Sequence, residues 1–126
     1  MSAGLDSSAI IAVLNGETGA DAVVACLPRA RVSAIQVAEL AIWAGRQGMP
    51  EPAIRHWFDG LKLTIEPFGG ERAWRVGLLS RRLPRSGISL GDRACLALAL
   101  ELGLPVLTGD RIWAGLDLGL DIRLIR

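Results

Sequence analysis

Cysteine, histidine and tyrosine are nearly missing from this sequence of 126 residues, which has two cysteines, Cys26 and Cys95, one histidine, His56, and no tyrosine. Two cysteines in apolar surroundings exclude a disulfide-rich scaffold. With one histidine they also supply too few nitrogen and sulfur ligands for a zinc site. We expect both cysteines to be small buried core residues.

Long apolar segments are missing as well. The longest run without a charged residue covers positions 7–16 and contains serine and asparagine, whereas a membrane-spanning helix needs about 20 apolar residues. No basic segment precedes an apolar stretch near the first residue, so a signal peptide is not indicated. We therefore expect a cytoplasmic protein with no membrane partner.

The net charge is small, because 14 basic and 13 acidic side chains leave +1. This balance excludes binding of nucleic acid through bulk positive charge. Every basic residue except Lys62 is arginine, and arginine makes planar, paired contacts with phosphate. A hydrophobic share of 51% and a charged share of 21% are typical of a globular chain. The length predicts one domain over residues 1–126.

Short apolar runs alternate with helical patterns along the chain. On helix 34–47, Ile35, Ala38, Ile42 and Trp43 share one face at helical spacing, which we interpret as the core face. Strands that alternate with helices predict an α/β fold around a mostly parallel sheet. The predicted strands are 1–5, 31–33, 61–66, 106–107 and 121–125, and the predicted helices are 7–14, 17–27, 34–47, 50–58, 71–83, 89–102 and 110–116.

Four carboxylates occupy positions where a solvent-facing charge is not expected. Asp6 directly follows the first strand, and Asp110 follows the strand at 106–107. Parallel strands end at the same edge of a sheet, where open α/β sheets bind ligands, so we expect Asp6 and Asp110 to be neighbours. Asp92 lies in the first turn of its helix, and Glu39 lies on the apolar face of helix 34–47.

Each of these acids also has a structural explanation. Asp6 and Asp110 could cap helices or form turns. Asp92 follows Ser89 at the spacing of a capping box. A buried ion pair could account for Glu39, although a glutamate on an apolar face is costly without a partner.

Electrostatic repulsion favours a common role for the four acids. Two ionised carboxylates about 5 Å apart repel by about 3 kcal/mol at an effective dielectric constant of about 20, so a cluster needs protons, arginines or a cation. Oxygen ligands without histidine or cysteine select Mg²⁺ or Mn²⁺, which suits phosphoryl chemistry. Hydroxyl side chains beside three of the acids could support such a site through hydrogen bonds: Ser7, Ser89 and Thr108.

Segment 71–93 provides a basic rim for a negatively charged substrate. It contains six arginines against two acids, Glu71 and Asp92. A solvated helix face is the structural alternative for such a run. The loop from Arg81 leads directly into Asp92, which favours substrate binding. The arginines are Arg72, Arg75, Arg81, Arg82, Arg85 and Arg93.

Four segments in register resemble the PIN-domain ribonucleases, and among them the VapC-type toxins of bacterial toxin–antitoxin pairs. The segments are Leu5-Asp6-Ser7-Ser8-Ala9, Ser33-Ala34-Ile35-Gln36-Val37-Ala38-Glu39-Leu40, the run from Ser89 to Ala99 and the run from Leu107 to Trp113. The order Asp, Glu, Asp, Asp at these intervals covers nearly the whole chain. Two departures from the usual pattern are Arg93, where a small residue is common, and Gly109 before the last acid.

The resemblance implies a PIN-like fold, a five-stranded sheet flanked by helices, and an endoribonuclease dependent on Mg²⁺ or Mn²⁺. It implies that Asp6, Glu39 and Asp92 are the main metal ligands, that Asp110 completes the set and that Thr108 holds it by hydrogen bonds. Hydrolysis should leave a 5′-phosphate and a 3′-hydroxyl. The implied partners are RNA, a second copy in a homodimer and a cognate VapB-type antitoxin. We expect four arginines to bind the RNA: Arg81, Arg82, Arg85 and Arg93.

Two other functions are compatible with the same residues. A catalytically inactive PIN-like module would bind RNA or protein without cleavage. A metal-dependent phosphatase of similar build is a further alternative. We expect Trp43 and Trp57 to pack in the core or a dimer surface, with Trp74 like them, whereas Trp113 could either stack on a base or pack its short helix.

Overall fold

Five short strands form the centre of the computed structural model, which describes residues 2–126. They are β1 (Ala3–Leu5), β2 (Ala30–Ser33), β3 (Thr64–Glu66), β4 (Val106–Thr108) and β5 (Ile122–Leu124). The helices are α1 (Ser7–Asn15), α2 (Ala20–Val24), α3 (Ala34–Arg46), α4 (Glu51–Gly60), α5 (Gly70–Leu79) and α6 (Leu90–Leu102), with 3₁₀ turns at Ser80–Arg82 and Arg111–Gly115.

The sheet has the strand order β3-β2-β1-β4-β5, and all four neighbouring pairs are parallel. The chain builds one half outwards from β1 to β3 and then returns to place β4 on the other side of β1. This reversal creates a crevice beyond the carboxyl ends of β1 and β4, which is the usual ligand position in such sheets. The predicted α/β class with a parallel sheet is confirmed.

The central strands are buried on both faces, as parallel sheets require. Leu5 and Val32 pack with Ile10 and Leu40 in one cluster. Leu96 and Trp113 pack with Val106 in the second cluster. The two clusters fix the relative positions of α1, α3 and α6, the helices that begin or pass at the crevice.

Three predicted elements are shorter by three residues or more in the structure. The helix predicted over 17–27 is reduced to α2, because Gly19 has a left-handed φ of 94° before it and turns follow it. The strand predicted over 61–66 begins only at Thr64, because Lys62 has a positive φ of 58°, which extended backbone excludes. The helix predicted over 71–83 ends at Leu79 and continues as a 3₁₀ turn.

The predicted core face of α3 is wrong. The buried row of α3 is Gln36, Leu40 and Ala44, whereas Ile42 is 54% exposed and Ala38 is exposed. An alanine-rich helix offers apolar residues on more than one face, so periodicity alone does not choose between them. Glu39 therefore borders the buried row in the first half of α3.

The predictions for single cysteines and tryptophans can be compared with their burial in the structure. Both cysteines are free and buried, as expected. Trp113 is fully buried, so it packs the core and does not stack on a base. Trp74 is 71% exposed, which excludes the core position and leaves the dimer surface as the prediction for it. Among residues 2–126 no helix is long and apolar enough to cross a membrane.

Candidate metal centre at the carboxyl edge of the sheet

Asp6 lies at the junction of β1 and α1 and is only 2% exposed. Its Oδ1 caps α1 by accepting from the backbone N–H of Ala9 at 2.9 Å and from the hydroxyl of Ser8 at 2.7 Å. Its Oδ2 accepts from the hydroxyl of Thr108 at 2.6 Å. The predicted capping role is therefore real, and it fixes the carboxylate in the crevice between β1 and β4.

Burial raises the pKa of Asp6 from 3.8 to about 6, since a desolvated carboxylate loses hydration that the charged form needs. The hydrogen bonds from Thr108, Ser8 and Ala9 oppose this rise, and the negative charge of Asp92 adds to it. A nearby cation would favour the ionised form of the same carboxyl.

The turn that follows β4 places Asp110 next to this network. Its backbone N–H donates to the Thr108 hydroxyl at 3.0 Å, and the N–H of Gly109 donates to the Ser8 hydroxyl at 2.9 Å. Asp110 Oδ1 in turn caps the 3₁₀ turn by accepting from the N–H of Ile112 at 3.0 Å. Two hydroxyl side chains thus connect residues that are about a hundred positions apart in sequence.

Glu39 approaches the same region from α3. Its carboxylate accepts long hydrogen bonds of 3.4 Å from the hydroxyls of Ser7 and Ser89 and from the amide of Gln36. Burial, followed by the charge of Asp92, raises its pKa. No arginine or lysine pairs with Glu39 among residues 2–126, so the ion-pair explanation is wrong within that range.

Asp92 forms the predicted capping box with Ser89. Its Oδ2 accepts from the N–H of Ser89 at 2.9 Å, and its own N–H donates to the Ser89 hydroxyl at 3.1 Å. Burial raises the pKa of Asp92, and the charge of Asp110 adds to the rise. The nearby cation of Arg93 opposes it.

The four predicted acids are therefore electrostatic neighbours. Asp92 repels Asp6 and Glu39, and Asp110 repels Asp92. Ser7 and Ser89 link Glu39 to the segments that carry Asp6 and Asp92. Within residues 2–126 no three aspartate, glutamate, histidine or cysteine side chains lie close enough together to hold a metal ion. The metal-ligand assignment stays a prediction.

A comparison with protein families shows to which family the chain belongs. The family model of the PIN domain matches residues 4–117. The chain belongs to the PIN domain family. The predicted resemblance to this family and its fold is thereby confirmed.

Three solved structures share the fold of this PIN domain. A toxin–antitoxin complex from Klebsiella pneumoniae is 20% identical, with a TM-score of 0.75 and 98% of each chain covered. A DNA-bound VapBC from Salmonella typhimurium is 20% identical at a TM-score of 0.76, covering 100% of this chain and 99% of that one. VapBC2 from Rickettsia felis, bound to a promoter DNA fragment, is 18% identical at a TM-score of 0.74, covering 98% of each. No curated protein matches the sequence.

The arginines of the predicted basic rim fall into two groups in this PIN domain. Arg72 pairs with Glu101 at 2.9 Å and with Glu66 at 3.5 Å, and Arg75 pairs with Glu101 at 3.4 Å, so these two are neutralised. Among residues 2–126 the other four make no ion pair. These are the arginines predicted to bind RNA, namely Arg81, Arg82, Arg85 and Arg93.

Sequence reasoning missed three residues around the acids. Ser8 bonds to both Asp6 and the turn at Gly109. Gln36 is fully buried and donates to the carbonyl of Gly91 at 2.8 Å. A Cβ on Gly91 would lie 1.9 Å from Glu39 Oε1, so the carboxylate occupies the space of that missing side chain. A glutamine inside an otherwise apolar row was the available signal for Gln36.

Proposed function

We propose that this PIN domain is a VapC-type toxin that hydrolyses RNA phosphodiester bonds with Mg²⁺ or Mn²⁺ and is neutralised by a cognate antitoxin. The observation that carries the proposal is the set of hydrogen bonds through which Ser7, Ser89 and Thr108 link the segments of the four acids around the crevice between β1 and β4. Membership in the PIN domain family and the fold shared with VapBC complexes support it.

The side chains around the crevice are of the chemical type that a hard divalent cation selects. The side chains hydrogen-bonded to these acids offer oxygen or amide donor atoms, namely Ser7, Ser8, Gln36, Ser89 and Thr108. The buried Oε1 of Gln36 has no hydrogen-bond partner. Burial raises the pKa values of Asp6, Glu39 and Asp92, and repulsion from a neighbouring carboxylate adds to each rise. Oxygen donors of this kind are the ligands of Mg²⁺ and Mn²⁺. Asp6, Glu39 and Asp92 would hold the ion, with Asp110 beside them.

The residues of the chain have separate roles in phosphodiester hydrolysis. A bound divalent ion supplies positive charge that stabilises the developing charge on the phosphate and makes water more acidic. Ala9, Ser8 and Thr108 fix the Asp6 carboxylate through three hydrogen bonds and leave one lone pair of Oδ2 free. The four unpaired arginines, which are Arg81, Arg82, Arg85 and Arg93, bind the phosphates that flank the cleaved bond.

Three features bring two of these arginines, Arg85 and Arg93, towards the acids. Arg93 lies near enough to lower the pKa of Asp92. The loop that contains Arg85 touches the 3₁₀ turn behind Asp110, because a Cβ on Gly87 would contact Ile112 at 3.6 Å. Ile88 anchors the end of the same loop in the core. The loop therefore lies along the rim of the crevice.

The antitoxin is proposed to occupy an apolar groove between α3, α4 and β3. The groove has a volume of about 180 Å³, and Ile65 at its edge is 46% exposed. An amphipathic helix or extended peptide suits such a groove. Replacement of Ile65 by aspartate should prevent neutralisation by the co-expressed antitoxin while toxicity persists. The matched control is Val24→Asp on α2, since Val24 is 50% exposed.

A homodimer is proposed to form through the exposed face of α5. Trp74 and Leu78, one turn apart, are 71% and 48% exposed, and exposed tryptophan is typical of protein interfaces. Analytical ultracentrifugation should show a dimer for the wild type and a monomer for Trp74→Glu. An unchanged mass after this substitution would contradict the assignment of the face.

The direct test of the proposed function is cleavage of total RNA by the purified protein. We expect cleavage with Mg²⁺ or Mn²⁺, none with excess EDTA, and a loss of at least about 100-fold for Asp6→Asn. Asp21→Asn is the matched control, because Asp21 is exposed on α2. RNA binding without cleavage would instead indicate an inactive module. Hydrolysis of small phosphomonoesters alone would indicate a phosphatase.

A further inference from the structure

The side chain of Arg126 covers the turn that carries Asp110. A Cβ on Gly109 would lie 2.8 Å from Nη2, 2.9 Å from Cζ and 3.1 Å from Nη1 of Arg126. All three guanidinium atoms therefore pack on the Gly109 backbone. Gly109 is not among the residues with a positive φ, so close approach and not backbone conformation accounts for glycine at this position.

Arg126 is itself held in place by the segment between α1 and α2. Its Nη1 pairs with Oε1 of Glu17 at 3.3 Å, and Oε2 of Glu17 accepts from the amide of Asn15 at 3.1 Å. A Cβ on Gly19 would meet the carbonyl oxygen of Ile125 at 2.1 Å. The guanidinium is thus fixed by an ion pair on one side and by close backbone packing on the other.

The turn beneath Arg126 is fixed on its opposite side by the hydroxyls that hold Asp6. Gly109 donates to Ser8, and Asp110 donates to Thr108. Movement of Gly109 would therefore move the backbone of Asp110 and disturb the contacts of Asp6. Residues that orient a metal ligand in this way typically change metal affinity by 10–100-fold when mutated.

We infer that Arg126 is a positioning residue, which holds the Gly109 turn so that Asp110 completes the proposed metal site. The inference rests on the proposed function, because it concerns the same four acids. Glu17, in the loop after α1, helps to position the site because it forms an ion pair with Arg126. Arg126 acts through Gly109 and touches neither the ion nor the substrate.

The test measures Mn²⁺ binding by electron paramagnetic resonance on the purified chain without RNA. Gly109→Ala keeps every charge but displaces the guanidinium, so Mn²⁺ affinity should fall about tenfold. Gly115→Ala is the matched control, because its Cβ would meet nothing within 4 Å, and its affinity should stay within about twofold. Addition of Arg126→Ala to Gly109→Ala should weaken binding no further than the stronger single substitution.

Glu17→Gln is a second test of the role of Arg126 if Gly109→Ala fails to fold. It removes the ion pair on an exposed loop, so we expect an unchanged melting temperature and about threefold weaker Mn²⁺ binding. Wild-type affinity in both Gly109→Ala and Glu17→Gln would overturn the inference, as would a loss of RNA affinity with unchanged Mn²⁺ affinity. Failure of the wild type to bind Mn²⁺, or full binding by Asp6→Asn, would instead refute the proposed function.

Discussion

Thr108 donates a 2.6 Å hydrogen bond to the buried carboxylate of Asp6 across 102 positions of sequence. The same hydroxyl accepts from the backbone N–H of Asp110 at 3.0 Å. One threonine at the end of β4 therefore joins the acid that follows β1 to the acid that follows β4. The adjacent parallel strands make this possible, since their carboxyl ends meet at one edge of the sheet.

Replacement of Thr108 by valine keeps the shape and removes both hydrogen bonds. The free energy of unfolding should fall by about 1–3 kcal/mol, because a buried carboxylate loses a donor. The pKa of Asp6 should rise further, so the acidic limb of the pH–activity profile should move to higher pH. Thr64→Val in β3 is the control, since Thr64 is exposed. An unchanged profile would show that Thr108 does not tune Asp6.

The stability of the metal-free protein should decrease as pH rises through the pKa of Asp6. A pKa raised from 3.8 to about 6 means that the folded state binds more protons than the unfolded state between these values. The stabilising contribution is complete below pH 3.8 and is lost by about pH 7, an effect of about 3 kcal/mol. In EDTA at pH 7.5, Asp6→Asn should therefore be more stable than the wild type by urea unfolding. A less stable variant would contradict the raised pKa.

Gly91→Ala should separate activity from stability. The added Cβ would displace the Glu39 carboxylate, which lies 1.9 Å from its position, and a misplacement of about 1 Å costs about 100-fold in rate. Gly77→Ala in α5 is the matched helical control, because nothing lies within 4 Å of its Cβ. That control should keep full cleavage activity and gain about 0.5–1 kcal/mol of stability. Equal activity of the two variants would exclude a role for Glu39.

RNA binding should depend on the unpaired arginines. Replacement of Arg82 by alanine should weaken binding across RNA sequences and reduce the slope of log affinity against log salt by about 0.7. The control is Arg29→Ala, an exposed arginine just before β2, at the opposite end of the strands from the acids. Filter binding at several salt concentrations measures both slopes. Identical slopes would remove Arg82 from the interface.

The sequence was sufficient to place acids that directly follow strands or open helices. The positions of Asp6, Asp92 and Asp110 are local features, because each caps the element that begins beside it. The parallel sheet brings Asp6 and Asp110 to the same edge, where Thr108 joins them. Glu39 contacts Ser7 and Ser89, but the apolar face assigned to it does not explain this position, since Ala38 and Ile42 of that face are exposed.

Features that depend on tertiary contacts were beyond sequence reasoning. Gly91 looks like an ordinary residue of a helix start until Glu39 is seen to occupy the space of its missing side chain. Gly109 was recognised only as a departure from the family pattern, whereas in the structure Arg126 packs on it. The arginines Arg72 and Arg75 looked like part of a basic rim, but Glu66 and Glu101 neutralise them. None of these partners is near in sequence except Glu66 to Arg72.

The most direct measurement of the central claim is calorimetric titration of Mn²⁺ into the protein at pH 6 in buffers of different ionisation enthalpy. Binding at the four carboxylates should release about half a proton from Asp6, since its pKa is about 6. Asp6→Asn should show neither this proton release nor high-affinity binding. Binding that is equal in the two proteins and releases no proton would contradict a single metal site built from Asp6, Glu39, Asp92 and Asp110.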